Sequence, residues 1–266
     1  MKKPIVIISL LVFASLLTMT ARPSSAADEA PRIIKLGVGF DLSVGDYGGR
    51  EASDIVQVPV SASYERGPLR LKLVIPYRQV IGPGNVVPAG VNAIPVVGRR
   101  PGERRENSGL GDIVAGASYN VMYLPERPLL LSLAMNFKFP TADESKGLGT
   151  GETDYSLQAD ALTALNDLSL FGAIGYESFG SPDAFTLKNA IFMRAGGAYP
   201  YARESAAGLI LEWRQAASPG VPSPLETTVF VRQRLSPVLD LYGYILKGWS
   251  KGSPDLGFGV SISRRM

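Results

Sequence analysis

Residues 129–139 alternate with a strict period of two. Leu129, Leu131, Leu133, Met135, Phe137 and Phe139 fall on one side, and Ser132, Ala134, Asn136 and Lys138 on the other. Successive strand side chains point to opposite faces, so this segment has one face in apolar surroundings and one in polar. Eleven further segments read the same way: 34–44, 55–64, 69–78, 110–124, 154–165, 168–179, 187–199, 203–215, 226–235, 238–249 and 255–264. Roughly 9–11 residues of tilted strand cross a hydrocarbon core, and these segments have about that length. Three are irregular. Phe192 breaks the eighth, Phe230 sits on the polar side of the tenth, and Tyr242, Tyr244 and Leu246 oppose Leu239, Leu241 and Ile245 in the eleventh.

The connections supply a second, independent pattern. Arg66-Gly67, Pro125-Glu126-Arg127, Asn166-Asp167, a turn near Pro200 and Ser236-Pro237 are short and rich in turn-forming residues. They alternate with longer stretches at 45–54, 79–109, 140–153, 180–186, 216–225 and 250–254. Outer-membrane barrels alternate short periplasmic turns with longer external loops and use an even number of strands. In lipid every backbone N–H and C=O must be paired within the protein, and a closed sheet has no edge. The expected fold is therefore all-β: an antiparallel up-and-down transmembrane β-barrel of about twelve strands, with both ends of the chain on the short-turn side. Aromatics near segment ends, among them Tyr64, Tyr77, Tyr123, Phe137, Phe139, Tyr155, Tyr176, Tyr199, Trp213 and Trp249, would form its two interfacial girdles.

Residues 1–26 read as a secretory signal peptide. Lys2-Lys3 is a positive start, Ile5 to Leu17 an apolar stretch, and Ser24-Ser25-Ala26 a small-residue cleavage site. Residues 27–266 are then the barrel. The sequence carries 27 Lys+Arg against 24 Asp+Glu, and Lys2, Lys3 and Arg22 account for the excess. The pI near 9.0 thus comes from the leader and is no argument for nucleic acid.

There is no His and no Cys. That removes disulfides, thiol nucleophiles, the usual general base and the commonest metal ligand. A lipid or peptide hydrolase built on a Ser–His pair has no His to use, so no enzymatic activity is expected. Gly147-Leu148-Gly149-Thr150-Gly151 looks like a phosphate loop, but no Lys-Ser or Lys-Thr follows and no helix pattern opens after it, so a flexible loop is the better account. Asp143, Glu144, Glu152 and Asp154 are acids that could collect Ca²⁺ at a loop base, but their spacing does not match the EF-hand pattern. No catalytic residue, metal ligand or cofactor is assigned.

The polar faces hold the chemistry. Inward bases are Lys35, Arg70, Lys72, Arg78, Lys138, Arg194, Arg214, Arg232 and Arg234; inward acids are Asp112, Asp160, Glu177, Glu204 and Glu212, with Asp41, Asp154 and Asp240 on the same side. A Lys or Arg facing lipid at midplane costs roughly 2–4 kcal/mol, which places these residues in the lumen. They either brace the lumen as paired charges or set the selectivity of a pore, with Arg70, Lys72, Arg78, Arg232 and Arg234 facing Glu177, Glu204 and Glu212. The long stretch 79–109, with Pro83, Pro88, Pro95, Pro101, Arg99, Arg100, Arg104 and Arg105, reads as an exposed loop able to touch lipopolysaccharide in preference to a constriction in the barrel mouth.

Residues 137–161, FKFPTADESKGLGTGETDYSLQADA, preceded by GLGDIVAGASY at 109–119, resemble the outer-membrane proteins known as the MetA-pathway phenol-degradation family. The shared pattern is Gly109 to Asp112, Pro140-Thr141, Lys146 to Gly149 and Asp154-Tyr155. The resemblance covers about residues 109–180 and implies an outer-membrane transporter for aromatic or other apolar solutes. It carries over no catalytic residue. The combined expectation is a monomeric outer-membrane channel passing small solutes by diffusion, with lipid, lipopolysaccharide and the barrel-assembly machinery as partners; a closed structural or adhesive barrel is the alternative.

Overall fold

The structure is a computed structural model describing residues 31–98, 103–183 and 185–266. The signal-peptide reading at 1–26, and Arg99, Arg100 and Pro101, lie outside the described residues. The chain forms β1 (Arg32–Gly45), β2 (Ser53–Arg66), β3 (Leu69–Gly82), β4 (Val86–Ala89), β5 (Ile94–Val97), β6 (Arg105–Leu110), β7 (Ile113–Leu124) and β8 (Leu129–Phe139). A single 3-10 turn, Glu144–Lys146, precedes β9 (Asp154–Leu165), β10 (Leu168–Ser178), β11 (Ala190–Ala202), β12 (Ser205–Arg214), β13 (Leu225–Ser236), β14 (Leu239–Gly248) and β15 (Leu256–Arg265).

Each strand pairs antiparallel with its sequence neighbour from β7 through β15, and β1 pairs with both β2 and β15. β2 pairs with β3, and β3 carries β7 along its first half and β6 along its second. β6 and β7 are thus one wall position interrupted at Gly111-Asp112, and the sheet is a closed antiparallel barrel of twelve strands, as the alternation implies. The interruption has a local cause. Pro76 offers no amide to the ladder, its carbonyl accepts the Gly111 amide instead, and a Cβ at Gly111 would crowd the Pro76 ring and the Arg78 guanidinium.

Side chains divide as the period of two requires. Leu133, Met135, Phe137 and Phe139 of β8 face outward, while Ser132, Ala134, Asn136 and Lys138 are buried inside. The outer face carries Leu, Val, Ile and aromatic side chains on every wall strand. Tyr77, Phe137, Phe139, Tyr155, Tyr176 and Trp249 cluster toward the long-loop end, and Tyr199 and Tyr201 toward the short-turn end. The irregular segments resolve the same way: Phe192, Phe230 and Tyr242 turn inward. With Ala198, Ala206 and Ile210, and with Phe171 and Tyr244 beside them, Phe230 and Tyr242 build an apolar patch on the inner wall.

Two boundaries differ from expectation. β3 continues past Arg78 to Gly82, and β6 takes up 105–110, so the connection spans 83–104 instead of 79–109. The turn expected near Pro200 falls at Arg203-Glu204. β11 continues through Pro200 with a register shift before Ala202, and Glu204 adopts a left-handed φ of 56°. Proline is tolerated at such bulges at a strand end.

The belt predicts a face-specific cost. Leu133→Arg, near the middle of β8 and outward, is expected to destabilise the bilayer-folded protein by roughly 2–4 kcal/mol. Urea titration in liposomes checks this; an unchanged midpoint would mean that this face does not meet lipid.

Candidate functional site

The lumen is built in three levels. At the short-turn end, Glu65 accepts Lys35 at 3.0 Å and Arg70 at 3.1 Å. On the adjoining strands Asp240 takes Arg234 Nε at 2.6 Å, Arg265 Nε at 3.4 Å and Arg232 at 3.5 Å, and Glu204 pairs with Arg234 and Arg265. At mid-height Glu212 bridges two guanidiniums, pairing with Arg194 through one oxygen and Arg214 through the other. Tyr244 donates to Asp41 at 2.9 Å on the adjoining wall, near Lys72.

At the loop end Lys138, only 1% exposed, reaches Asp154 at 2.6 Å, Asp112 at 3.4 Å and the Thr150 hydroxyl at 2.8 Å. Arg78 donates Nε and Nη2 to Gln57 and Nη1 to the Leu148 carbonyl at 2.6 Å. Asp112 also accepts the Ala142 amide at 3.1 Å. The glycine-rich motif is therefore a structural cover folded down over the mouth. Leu148 and Thr150 are buried, and a Cβ at Gly149 would collide with Ala142 and the Asp112 carboxylate. The flexible-loop reading fails because Arg78, Asp112 and Lys138 need these partners. The four loop acids are not gathered for Ca²⁺: Asp154 faces Lys138, whereas Asp143 sits outside against Lys146, its carboxyl held below the usual range by the Ser145 hydroxyl.

The exposed-loop reading of 79–109 is also overturned. β4 and β5 form a hairpin inside the mouth, pairing Val86 with Val97, Val87 with Val96, Pro88 with Pro95 and Ala89 with Ile94. All of β4 is buried. Val86 packs with Tyr47, Ile55, Val80, Ala142 and Leu148 on one wall. Ala89, Ile94 and Val96 pack with Phe179, Ala190 and Ala217 on another. Tyr47 is fully enclosed there, and burial pushes its phenol above its ordinary range. The hairpin tip hangs from two wall carboxylates: the Gly90 amide donates to Asp154 at 2.8 Å and the Val91 amide to Glu177 at 2.6 Å. Gly90 has φ 72°, and a side chain there would strike Glu177. Val and Ile, the residues that looked like a Pro-broken loop, are the packing surface of a plug.

Beneath the tip lies a cavity of about 250 Å³, lined by Val91 to Pro95 above and by Lys72, Arg78, Arg194, Arg214 and Tyr244 around it. A second, of about 110 Å³, lies toward the short-turn end between Lys35, Glu65, Arg70, Arg232 and Asp240. Ser61, Lys72, Tyr242 and Ser261 line both, so the two abut along the barrel.

The candidate residues have different partners from those expected. Arg70 answers to Glu65, Arg232 to Asp240, and Glu212 to Arg194 and Arg214; Arg234–Glu204 is the expected pair that forms. Glu204 lies in a turn at the rim. Glu177 faces the hairpin backbone, and Asp160 accepts Gln158 Nε2 at 2.7 Å. Glu65, Glu226 and Arg265 also belong to the lumen or its rim. Their signal was present: Glu65 and Arg265 continue the inward parity of Ser61 and Ser63, and of Ser261 and Ser263, one residue past the segment ends assigned from sequence, and Glu226 shares the parity of Thr228 and Phe230 at the start of its segment.

No protein-family model and no curated protein matches the sequence. Among solved structures the chain is similar to an outer-membrane channel from Pseudomonas putida F1, at 15% identity over 92% of this chain and 100% of that one, with a TM-score of 0.66. The NanC porin aligns at 11% identity over 87% and 100%, TM-score 0.52. The translocator domain of the autotransporter NalP from Neisseria meningitidis aligns at 11% identity over 91% of each chain, TM-score 0.52. The fold is that of outer-membrane barrels. The phenol-degradation family has no matching model behind it.

The plug attachment generates a test. Asp154→Ala strips the acceptor from the Gly90 and Gly180 amides and leaves the buried Lys138 without its nearest carboxylate. Breaking a buried pair this way costs about 3–5 kcal/mol, read as an earlier heat-induced shift in gel mobility. Asp160→Asn is expected to move that shift far less.

Proposed function

We propose that this chain is an outer-membrane channel that lets small solutes diffuse along its lumen, with the β4–β5 hairpin setting the resting bore. The observation that carries the reading is the pair of abutting cavities along the barrel, lined by charged and polar side chains and roofed by the hairpin. The apolar outer belt and the likeness in fold to an outer-membrane channel support the location. On this reading residues 1–26 are the export signal, the protein works as a monomer, and the long loops face lipopolysaccharide.

The solutes are small, with an aromatic or apolar body. Phe230, Tyr242, Tyr244 and Ile210 give one inner wall an apolar patch beside the charges, in keeping with the resemblance to phenol-degradation proteins. The chamber near the short turns is lined by Lys35, Arg70, Lys72 and Arg232 against Glu65 and Asp240, an excess of positive charge that favours anions. One observation favours the closed barrel instead: the hairpin is packed against two walls.

Single-channel recording in a planar bilayer separates these. Discrete steps, enlarged when residues 86–97 are replaced by a short Gly-Ser linker, establish an open lumen under the plug. Silence from both proteins, shown to be folded by heat-shifted mobility, establishes a closed barrel. Replacing Arg70, Lys72 and Arg232 with Ser is expected to move the reversal potential toward cation preference; an unchanged potential defeats the charge assignment.

A further inference from the structure

Arg194 is held on two sides and leaves two buried nitrogens without a hydrogen-bond partner among the described residues. Its Nε pairs with Glu212, its register partner on β12. Its guanidinium carbon lies 5.1 Å from the centre of the Phe192 ring, within cation–π reach. Phe192 is itself fully buried and lies over Gly175, where any side chain would collide with the ring. Ring and carboxylate together fix the guanidinium plane. Nη1 and Nη2 are buried and have no hydrogen-bond partner among the described residues, and the residue is 7% exposed and lines the larger cavity. Arg214 shares the Glu212 carboxylate, lines the same cavity and leaves Nε without a hydrogen-bond partner.

A forked guanidinium with two free parallel donors matches a carboxylate, which can accept both. Acids face the cluster as well. Glu226 stands opposite Glu212 in the β12–β13 register and lines the cavity, and Asp160 and Glu177 lie on neighbouring inner walls. Glu212 is committed to both arginines, Glu177 to Val91 and Asp160 to Gln158. Beside the charges the same cavity offers Ile94, Ile210, Tyr242 and Tyr244 to an apolar group.

We propose that the upper chamber is a solute site for a small organic monocarboxylate with an apolar tail, anchored by the free edge of Arg194. The proposal rests on the channel reading for its route of access and extends it to a substrate class. Hexanoate and its uncharged amide, hexanamide, are the probes, measured by equilibrium dialysis against the folded full-length protein with protein-free micelles subtracted. Wild-type protein is expected to bind hexanoate saturably and hexanamide about tenfold or more weakly, since bonds to charged groups are the stronger class. Arg194→Gln is expected to abolish the preference, and Arg194→Lys, which keeps the charge but loses the fork, to retain part of it. Equal binding of the two probes by the wild type, or full preference in Arg194→Gln, overturns the site. The wild-type comparison stands even if the variants fail to fold. Conductance is recorded separately: binding without any conductance defeats the channel reading alone, and conductance without hexanoate preference defeats the site alone.

Discussion

The contact on which everything else depends is the pairing of the first wall strand with the last. β1 and β15 run antiparallel from Lys35 opposite Arg265 to Val44 opposite Leu256. Without it, two edge strands would present unpaired amides and carbonyls to an apolar surrounding, at several kcal/mol for each unsatisfied group. Gly37 and Gly39 sit on this seam. A Cβ at Gly37 would approach Ser61, Ile262 and Ser263, and one at Gly39 would approach Pro59, Val260 and Ser261. Once the seam closes, the pleat sends every second side chain outward and every other one into a confined interior, so the sorting of Leu and Val from Arg and Asp is a consequence of closure.

That interior carries many charges in little space, which is costly unless each is answered. Desolvating an ion costs several kcal/mol even after relaxation, and good geometry is needed to offset it. The barrel meets this by sharing: Glu212 serves two arginines, Asp240 three, and Lys138 two carboxylates and a hydroxyl. Shared partners hold these charges in place, and the two cavities lie among them.

The fold was legible because closure leaves two marks on sequence, the period of two and the alternation of short and long connections, and both recur along the whole chain. Arg70, Lys72, Arg78, Lys138, Arg194, Arg214 and Arg232 were placed inside by parity alone. Their partners were not, because parity says which face a side chain occupies and nothing about its height or its neighbours around the barrel. The hairpin was illegible for a different reason. β4 and β5 have four residues each, too short for alternation to show, and β4 is buried on both faces while β5 is half-buried on one, so Val86-Val87 and Val96-Val97 read as an unpatterned apolar run. Pro88 and Pro95 reinforced the reading of a loop, yet they stand opposite one another, where neither has an amide to give.

That proline pair bears on how the plug is held. A hairpin with proline on both strands gains little from its own ladder, so its shape depends on proline's fixed φ and on the walls that grip it. The grip at the tip is uneven. Asp154 is tied to Lys138 and to the Gly180 amide as well as to Gly90, and so belongs to the wall whether or not the hairpin is present. Glu177 takes the Val91 amide on one oxygen, while its other oxygen is buried with no hydrogen-bond partner among the described residues. Asp154 is therefore held by the wall independently of the hairpin, whereas among the described residues the Val91 amide is the hydrogen bond that ties Glu177 to the plug.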